Sequence, residues 1–505
     1  MSSILTNTGA MVALQTLQSV NANLNTTQNE ISTGKSVASA KDNAAVWAIS
    51  KVMDSDVKGF KGISDGLSLG LSSVAVGRQA AETVTDLLTD IKGKIVAAQE
   101  ENVDRSKIQT DIAALRDQIE SVVNAAQFNG LNIVKGTDAV NVLSSLDRDS
   151  SGNVTASQIS VARQDLTTDA GVFNTGGTSL NANAQASDST ITNTGNSAAI
   201  TFNTGAYTTA GLMARLTVDG VQIDFEGATG LDQDDAAAFF EGQINALQLD
   251  GISASRVNNV LTVTSTRGFE GVNVGVSNLA GDAAGTQITD LNGDTVTLAS
   301  GSIDERAQNV TFSGTAGVQN GDGYRVSVGS QVFDYVAGPG QNFEDVARGL
   351  KAAIDAAGMD GITTQVDQDA NGAWQLKIDN SEASVGFSAI GNAGGQASGG
   401  LFGLDGIDVT TEAGARAALD NIESMIGRAI DSSASFGSAQ GRIETQNNFV
   451  GKLVDSLRAG IGTLVDADME AASARLQALQ VQQQLATQSL SIANQQPQNI
   501  LSLFR

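Results

Sequence analysis

The sequence predicts an α+β multidomain fold, in which both chain ends make a long α-helical coiled-coil or bundle rod and the middle makes a β-rich outer region. Apolar side chains near both ends recur at heptad spacing, which is typical of helices that pack on other helices. The middle carries short alternating apolar runs between Gly, Ser, Asn and Asp residues, which is typical of strands. Part of the middle is repeated at an offset of 110 residues, so this region is predicted to contain a duplicated β-β-α-β-β unit.

The two chain ends are unusual because residues 1–29 and residues 476–504 contain no charged side chain. In the first segment one heptad position holds Ala10, Leu17, Leu24 and Ile31, and its companion holds Leu14, Asn21 and Gln28. In the last segment Met469, Leu476, Gln483 and Leu490 alternate with Ala472, Leu479, Ala486 and Ala493. Such a stripe of Leu, Ala, Asn and Gln is too weakly apolar to fold an isolated helix. We therefore expect both ends to order only against many copies of the chain, with Asn21, Gln28 and Gln483 setting the register.

A longer and more apolar heptad pattern follows the first end. It runs from Val46 to Ile95 and predicts one helix of roughly 80 Å, at about 1.5 Å per residue. Trp47 and Phe60 lie in this pattern and are expected to pack in the core, although a ligand pocket is the alternative interpretation. Glycines inside the helix each cost up to about 1 kcal/mol relative to Ala, so close packing is expected to compensate.

Two further helices are expected to complete the rod. Asp104 is a predicted N-cap of the first of them, which should stop at the turn dipeptide Asn129-Gly130. The second holds one heptad register from Ile422 to Leu464. Its phase slips near Val465 to Ala467, which indicates a joint between helical segments.

The repeated unit of the middle is visible in the match of Arg215–Phe225 to Arg325–Tyr335. Each copy is predicted to contain two strands, a helix (residues 234–249 and 343–357) and two more strands. Residues 151–405 carry 28 Asp and Glu against 9 Lys and Arg, a formal charge of 9 − 28 = −19. This acidic balance argues against nucleic acid as a partner, because phosphates need a basic surface.

The composition excludes several classes of chemistry. The chain has no Cys and no His, so it can form neither a thiolate metal site nor a Ser-His-Asp triad. Catalysis would have to rest on carboxylates, Lys or Tyr, and a carboxylate-pair hydrolase would need a cleft that the sequence does not show. We expect no enzyme activity and no cofactor. The first residues lack the features of a secretory signal, and no apolar run approaches the roughly 20 residues of a membrane span. We expect no membrane insertion, and a dedicated exporter if the protein leaves the cell.

One segment partly fits a calcium loop. Asp147, Asp149, Ser151 and Asn153 are its candidate ligands, but position twelve is Gln158, which cannot supply a bidentate carboxylate. Because the flanking runs alternate like strands, a solvated hairpin turn is the favoured interpretation. Likewise Asp232, Asp234 and Asp235 precede an apolar helical run and are interpreted as helix caps rather than a cation site.

Four short segments resemble the bacterial flagellins. Residues 39–50 (Ser-Ala-Lys-Asp-Asn-Ala-Ala-Val-Trp-Ala-Ile-Ser) are similar to the family's SAKDDAAG-AIA stretch, and residues 491–505 are similar to its closing ANQ-PQN-LSLLR. Residues 31–35 resemble its LSSG turn, and residues 126–130 resemble its TQFNG. The repeat in the middle resembles the family's insert motif more weakly.

The resemblance implies a structural subunit that polymerises into the helical flagellar filament for swimming motility. It implies a secreted, extracellular protein that passes unfolded through the flagellar export apparatus, with a chaperone, and that meets hook-associated and cap proteins. The main partner would be many copies of the chain itself. The residues expected to pack in such an assembly are Leu17, Leu24, Trp47, Phe60, Leu479, Leu490 and Phe504.

The predicted organisation has five parts. Residues 1–45 form an N-terminal filament-core helix, 46–170 the N-terminal part of the rod with a hairpin, 171–405 the surface-exposed outer domains (repeats about 199–290 and 309–400), 406–460 the C-terminal part of the rod, and 461–505 a C-terminal filament-core helix. A hook-filament junction protein or a surface adhesin with similar rods is the alternative function.

Overall fold

The computed structural model of the chain describes residues 7–148, 153–203, 207, 211–278 and 285–502. The chain divides into two compact units. The first, called the helical unit, contains residues 1–72, 141–161 and 438–505; the second, called the mixed unit, contains residues 73–140 and 162–437. Helices formed by both chain ends and a strand-rich middle confirm the predicted α+β multidomain fold.

The secondary structure follows the order of the sequence. The helices are α1 (Thr8–Thr33), α2 (Ala44–Ala98), α3 (Arg105–Ala125), α4 (Gln233–Ala246), α5 (Phe343–Ala356), α6 (Glu412–Val465) and α7 (Met469–Ser502). The strands are β1 (Gln127–Phe128), β2 (Leu131–Asn132), β3 (Val140–Arg148), β4 (Val154–Val161), β5 (Ala184–Ala186), β6 (Thr190–Ile191), β7 (Asn196–Thr201), β8 (Gly211–Val218), β9 (Val221–Gly227), β10 (Ile252–Val257), β11 (Val260–Ser265), β12 (Val272–Asn278), β13 (Gln287–Leu291), β14 (Asp294–Leu298), β15 (Ser300–Ile303), β16 (Gln308–Phe312), β17 (Gly323–Val328), β18 (Gln331–Val336), β19 (Ile362–Gln368), β20 (Trp374–Asn380) and β21 (Val385–Asn392). Short 3₁₀ turns lie at Asn181–Asn183 and Leu404–Gly406.

The long helix predicted from Val46 is α2, which contains 55 residues. Its heptad positions are buried from Ile63 onward, whereas Ile49 is exposed. Two of its glycines give room to other segments. A Cβ atom on Gly70 would lie 2.8 Å from Val142 of β3, and one on Gly77 would lie 2.6 Å from Ile133. The close packing expected at these glycines therefore involves hairpin and loop residues, and at Gly77 also Phe436 of the neighbouring helix α6, 3.4 Å from the same Cβ position.

The second predicted helix is α3, and it ends four residues earlier than expected. Asp104 is its N-cap, and the N–H of Ala126 donates to Val122 O at the last turn. Asn129 and Gly130 have φ angles of 51° and 81° and join the two-residue strands β1 and β2. Asn-Gly in this left-handed conformation favours a tight hairpin turn. The dipeptide therefore forms the turn of a hairpin and does not end the helix.

The predicted joint at Val465 to Ala467 is confirmed as the break between α6 and α7. The N–H of Ser36 donates to Val465 O at 2.8 Å, and the N–H of Ala467 donates to Gly34 O at 3.0 Å. Gly34 has a φ of 68° and ends α1. The break after α1 and the break before α7 therefore hold each other in place within the helical unit.

The middle contains the two predicted repeats, each built from two antiparallel sheets and one helix. The first repeat has the sheets β10-β11-β7-β13-β14 and β15-β12-β8-β9, and the second has β19-β20-β16-β5 and β18-β17-β21-β6. In the second repeat β5 and β6 precede the whole first repeat in sequence. The first repeat is therefore an insertion between β6 and β16, a nesting that the sequence pattern did not indicate.

Hydrogen bonds join the segment that enters the first repeat to the segment that leaves it. The amide Nδ2 of Asn196 donates to the carbonyl oxygens of Asp304 and Glu305, at 3.2 and 2.9 Å.

Each repeat also has its own aromatic core. Phe202 stacks on Phe240 at 5.4 Å between ring centroids in the first, and Phe312 stacks on Phe343 at 5.6 Å in the second.

Gly349 in α5 is predicted to contribute to the stability of the second repeat. A Cβ atom there would lie 2.2 Å from the ring of the buried Tyr335, so Gly349→Ala should lower the free energy of unfolding by about 1–3 kcal/mol. Gly242 in α4 has no atom within 4 Å of such a Cβ, and Gly242→Ala should raise stability by up to about 1 kcal/mol. For Gly349→Ala, the measurement is urea unfolding followed by Trp374 fluorescence in a Trp47→Phe background. For Gly242→Ala, it is hydrogen exchange of β8–β11. Equal effects of the two substitutions would contradict this account.

Asp104 is predicted to stabilise α3 more strongly while its carboxyl is ionised. Hydrogen bonds from Ser106 and from Lys107 lower the pKa of its carboxyl from 3.8 to about 2. A folded-state pKa below the unfolded value means that the stabilisation is complete above pH 3.8 and is lost as the pH falls through about 2. Amide exchange in the first turn of α3 should follow this titration in the native chain. The Asp104→Asn variant keeps a neutral cap and should show no such dependence.

Candidate assembly interface

The two uncharged chain ends, α1 and α7, form an antiparallel helix pair. Asn7 Nδ2 donates to Ala493 O at 2.8 Å near one end of the pair. Gln483 Nε2 donates to Asn21 Oδ1 at 2.6 Å near the middle. Lys35 and Asp466 form a backbone bridge at the other end. Side-chain amides thus link the two helices at the place where Asn21 and Gln483 were predicted to set the register.

The buried rows of the pair agree with the prediction for α7 and differ for α1. In α7 the row Ala472, Leu479 and Ala486 is buried, as expected. In α1 the companion row holds Val20 and Thr27, which is 2% exposed, whereas Leu14 and Gln28 are exposed. A heptad allows a companion either three or four residues from the first row, and the three-residue choice buries Val20 instead of an amide.

A second set of apolar side chains on the pair remains exposed. These residues are between 45% and 65% exposed. They are Met11, Val12 and Leu14 on α1 and Val481, Leu485 and Ile492 on α7. Val12 and Leu485 line a common groove of about 440 Å³, together with small residues of both helices. Apolar surface of this kind, without any charge beside it, is typical of a protein contact.

The other predicted packing residues are spread over α1, α7 and α2. Leu17, Leu24 and Leu490 are half-buried along the α1–α7 pair, and Trp47 and Phe60 are half-buried on α2. Phe504 lies outside the described residues. Sequence reasoning did not single out Met11, Val12, Val481, Leu485 and Ile492. Their signal was available, since each is a large apolar residue off the heptad rows in a segment without charge.

The candidate calcium loop joins two strands and not two helices. Asp147 lies at the end of β3 and accepts hydrogen bonds from Ser145 Oγ and Ser157 Oγ, each at 3.0 Å. Asn153 directly precedes β4, while Asp149 and Ser151 lie outside the described residues. Within the described ranges no group of three acidic side chains is placed to hold a metal ion. The flanking strands agree with the favoured interpretation of a hairpin.

Asp232 and Asp235 cap the start of α4, as interpreted, and Asp234 lies in the first turn of the helix. Asp232 accepts from the N–H groups of Asp234 and Asp235, and the Asp235 carboxylate accepts from the N–H of Asp232. This reciprocal capping box satisfies donors at the start of the helix and uses the carboxylates that a cation would need.

Comparison with known proteins identifies relatives of the whole chain. The model of the bacterial flagellin N-terminal helical region matches residues 4–139, and that of the C-terminal helical region matches residues 419–504. Flagellin A and Flagellin B of Rhizobium meliloti are each 32% identical to the chain, over 100% of both sequences. Flagellin FljK of Caulobacter vibrioides is 40% identical over 33% of this chain and 63% of its own.

Solved structures with partial similarity also come from flagella. The flagellar hook associated protein-3 of Legionella pneumophila has a TM-score of 0.31 at 9% identity and covers 82% of this chain and 98% of its own. FliC of Burkholderia pseudomallei has a TM-score of 0.25 at 14% identity and covers 74% of this chain and 99% of its own. The family assignment therefore rests on the full-length sequence relatives.

The amide contact between Gln483 and Asn21 is predicted to contribute to the pairing of the chain ends. Gln483→Ala removes this partly buried hydrogen bond and should lower the local stability of α1 by about 1 kcal/mol. Replacing both residues by Leu leaves no unpaired amide, so stability should return close to the native value. Hydrogen exchange of the α1 amides measures both changes. A loss in the double variant equal to that of Gln483→Ala would contradict a role for the amide pair.

Proposed function

The chain belongs to the bacterial flagellin family and is a structural subunit of the helical flagellar filament, and we propose that its two uncharged ends form the contact surface between subunits. The observation that carries this proposal is the set of six exposed apolar side chains on the α1–α7 pair. The full-length similarity to flagellins favours the filament subunit over a hook-filament junction protein or an adhesin.

The proposed mechanism couples ordering of the ends to polymerisation. Full burial of a Leu, Ile, Val or Met side chain contributes about 1.5–3 kcal/mol, and in a single chain each of these residues, 45–65% exposed, forgoes roughly half of that. Ordering two helices also costs backbone entropy. Neighbouring subunits in a filament supply the missing apolar contact, so the ends are most stable inside the polymer. A contact between unlike surfaces that does not close into a ring generates a helical filament.

The acidic middle suits the outside of such a polymer. Residues 151–405 carry the formal charge of −19 counted from the sequence, and like charge keeps neighbouring outer repeats soluble and apart. The uncharged ends have no such repulsion to overcome. Charge is thus absent where copies are proposed to meet and concentrated where they are proposed to face solvent.

We further propose that the chain is secreted through the flagellar export apparatus with a chaperone, and that it meets hook-associated and cap proteins at the filament. This proposal rests on family membership. In the part of the chain that the structure describes, no helix combines the length and apolar character needed to cross a membrane. Since flagellins are a structural protein family, we propose no catalytic role, and filament growth is proposed to serve swimming motility.

The proposal predicts that one charge on the exposed apolar set blocks assembly. Leu485→Glu should raise the critical concentration for polymerisation by about tenfold or more, because burial of an apolar side chain is replaced by burial of a carboxylate. Val257 in the first repeat is 74% exposed, so Val257→Glu is the matched control and should polymerise normally. Sedimentation and electron microscopy of seeded filaments report the result. Normal assembly of Leu485→Glu, or failure of Val257→Glu, would refute the proposed contact surface.

A second variant tests the ends as a whole. A chain without residues 1–29 and 476–505 should remain folded in its outer repeats, as circular dichroism can show, and should form no filaments. Filaments of this shortened chain would mean that other surfaces hold the polymer together.

A further inference from the structure

The helices of the two repeats, α4 and α5, correspond residue by residue. Both contain 14 residues, and their N-caps, Asp232 and Asn342, lie 110 positions apart. Both begin with a capping box, closed by Asp235 in one and Asp345 in the other. Each position of α5 can therefore be compared directly with its counterpart in α4.

Of these two helices, only α5 has a polar contact with α6 among the described side chains. Lys351 is 3% exposed. Its Nζ lies 2.8 Å from Asp355 Oδ2 on its own helix, and 3.1 Å from Asn421 Oδ1 and 3.3 Å from Asp420 Oδ2 on α6. The amide of Asn421 in turn donates to Asp355 Oδ2 at 3.0 Å. A buried cation is thus shared between acceptors on two helices.

Two arginines extend this contact on either side. Arg348 Nη1 donates to Ser424 Oγ at 3.2 Å and lies 3.5 Å from Asp420 Oδ1. Arg428 of α6 donates to Asp345 Oδ1 at 2.8 Å. Asp420 therefore faces two cations of α5, and its position is the electrostatic centre of the contact.

Small residues let the backbone approach α5 beside this network. A Cβ atom on Gly406 would lie 2.2 Å from Ala356 Cβ, and one on Gly403 would lie 2.8 Å from Ala352 Cβ. These glycines belong to the 3₁₀ turn Leu404–Gly406 and the residue before it. Ala246 and Gly242, the α4 counterparts of these alanines, would satisfy the same steric limit. Shape alone does not distinguish the two helices at this site.

Charge does distinguish them. The counterparts of Arg348, Lys351 and Asp355 are Ala238, Glu241 and Asn245. In the first repeat Glu241 pairs with Arg256 at 3.1 Å. If α4 occupied the place of α5, Glu241 would bring a carboxylate against Asp420, whose side chain is 49% exposed, and two like charges in this partly buried site repel each other.

We propose that Arg348 and Lys351 are recognition residues through which α6 accepts the second repeat and rejects the first. Tandem domains of one ancestry can dock in each other's place while a chain folds. Discrimination between two similar partners is most effective when the wrong partner meets a repulsive group. Asp420 attracts the two cations of α5 and repels Glu241 of α4. The partner surface assigned to residues 420–428 of α6 is thus the second repeat alone.

The test converts α5 to the identity of α4 in the full-length chain. Arg348→Ala, Lys351→Glu and Asp355→Asn together should increase hydrogen exchange of residues 399–430 by about tenfold or more, with the strands β16–β20 still protected. Adding Asp420→Lys offers a cation to the carboxylate introduced at position 351 and should restore most of the protection. Glu241→Lys in α4 is the matched control and should leave exchange of residues 399–430 unchanged.

The outcomes decide the proposal directly. Unchanged exchange in the converted chain, or no recovery with Asp420→Lys, would overturn it. Should the converted chain also lose protection of β16–β20, the milder Lys351→Met keeps the apolar stem and removes only the charge. Faster exchange of residues 399–430 in Lys351→Met with protected strands supports recognition by charge, and unchanged exchange overturns it.

Discussion

The pairing of α1 with α7 is the contact on which the helical unit depends, because it joins residues from opposite ends of the chain. Its hydrogen bonds connect residues 486 and 462 positions apart. Closing loops of this length costs conformational entropy before any contact contributes energy. The pair offsets little of that cost by itself, since its buried rows consist of Ala, Val, Leu and Thr while six other apolar side chains remain largely exposed. Marginal stability of the pair in the single chain, and its added stability in the proposed assembly, would follow from the same sequence.

Heptad spacing was sufficient to predict the helices and much of their packing, because a long helix repeats one local rule many times. The joint at Val465 to Ala467 and the buried row of α7 follow from that rule. The companion row of α1 does not, because spacings of three and four residues both satisfy a heptad. Only the structure shows that Val20 and Thr27, and not Leu14 and Gln28, meet α7. Most of the candidate contact surface lay off the heptad rows and was missed for that reason.

Strand order was harder to predict than strand existence. The alternating runs identified the repeats and their helices within a few residues of the observed ends. They did not indicate that β5 and β6 complete the sheets of the second repeat from a position before the first. Pairing partners in a sheet are set by long-range contacts that a local pattern does not encode. The polar contact of α5 with α6 was not predicted for the same reason, because it depends on which helix lies opposite Lys351.

The hydrogen bonds of Asn196 with the carbonyl oxygens of Asp304 and Glu305 affect which insertions and deletions the chain can accept. The segments that enter and leave the first repeat are hydrogen-bonded to each other. The structure of the second repeat therefore does not depend on the length of chain between them. An insertion, a deletion or an unrelated domain with adjacent termini would leave the same two ends at the same place. Variation in sequence and size can therefore accumulate in this part of the molecule while the proposed contact surface on the α1–α7 pair stays constant.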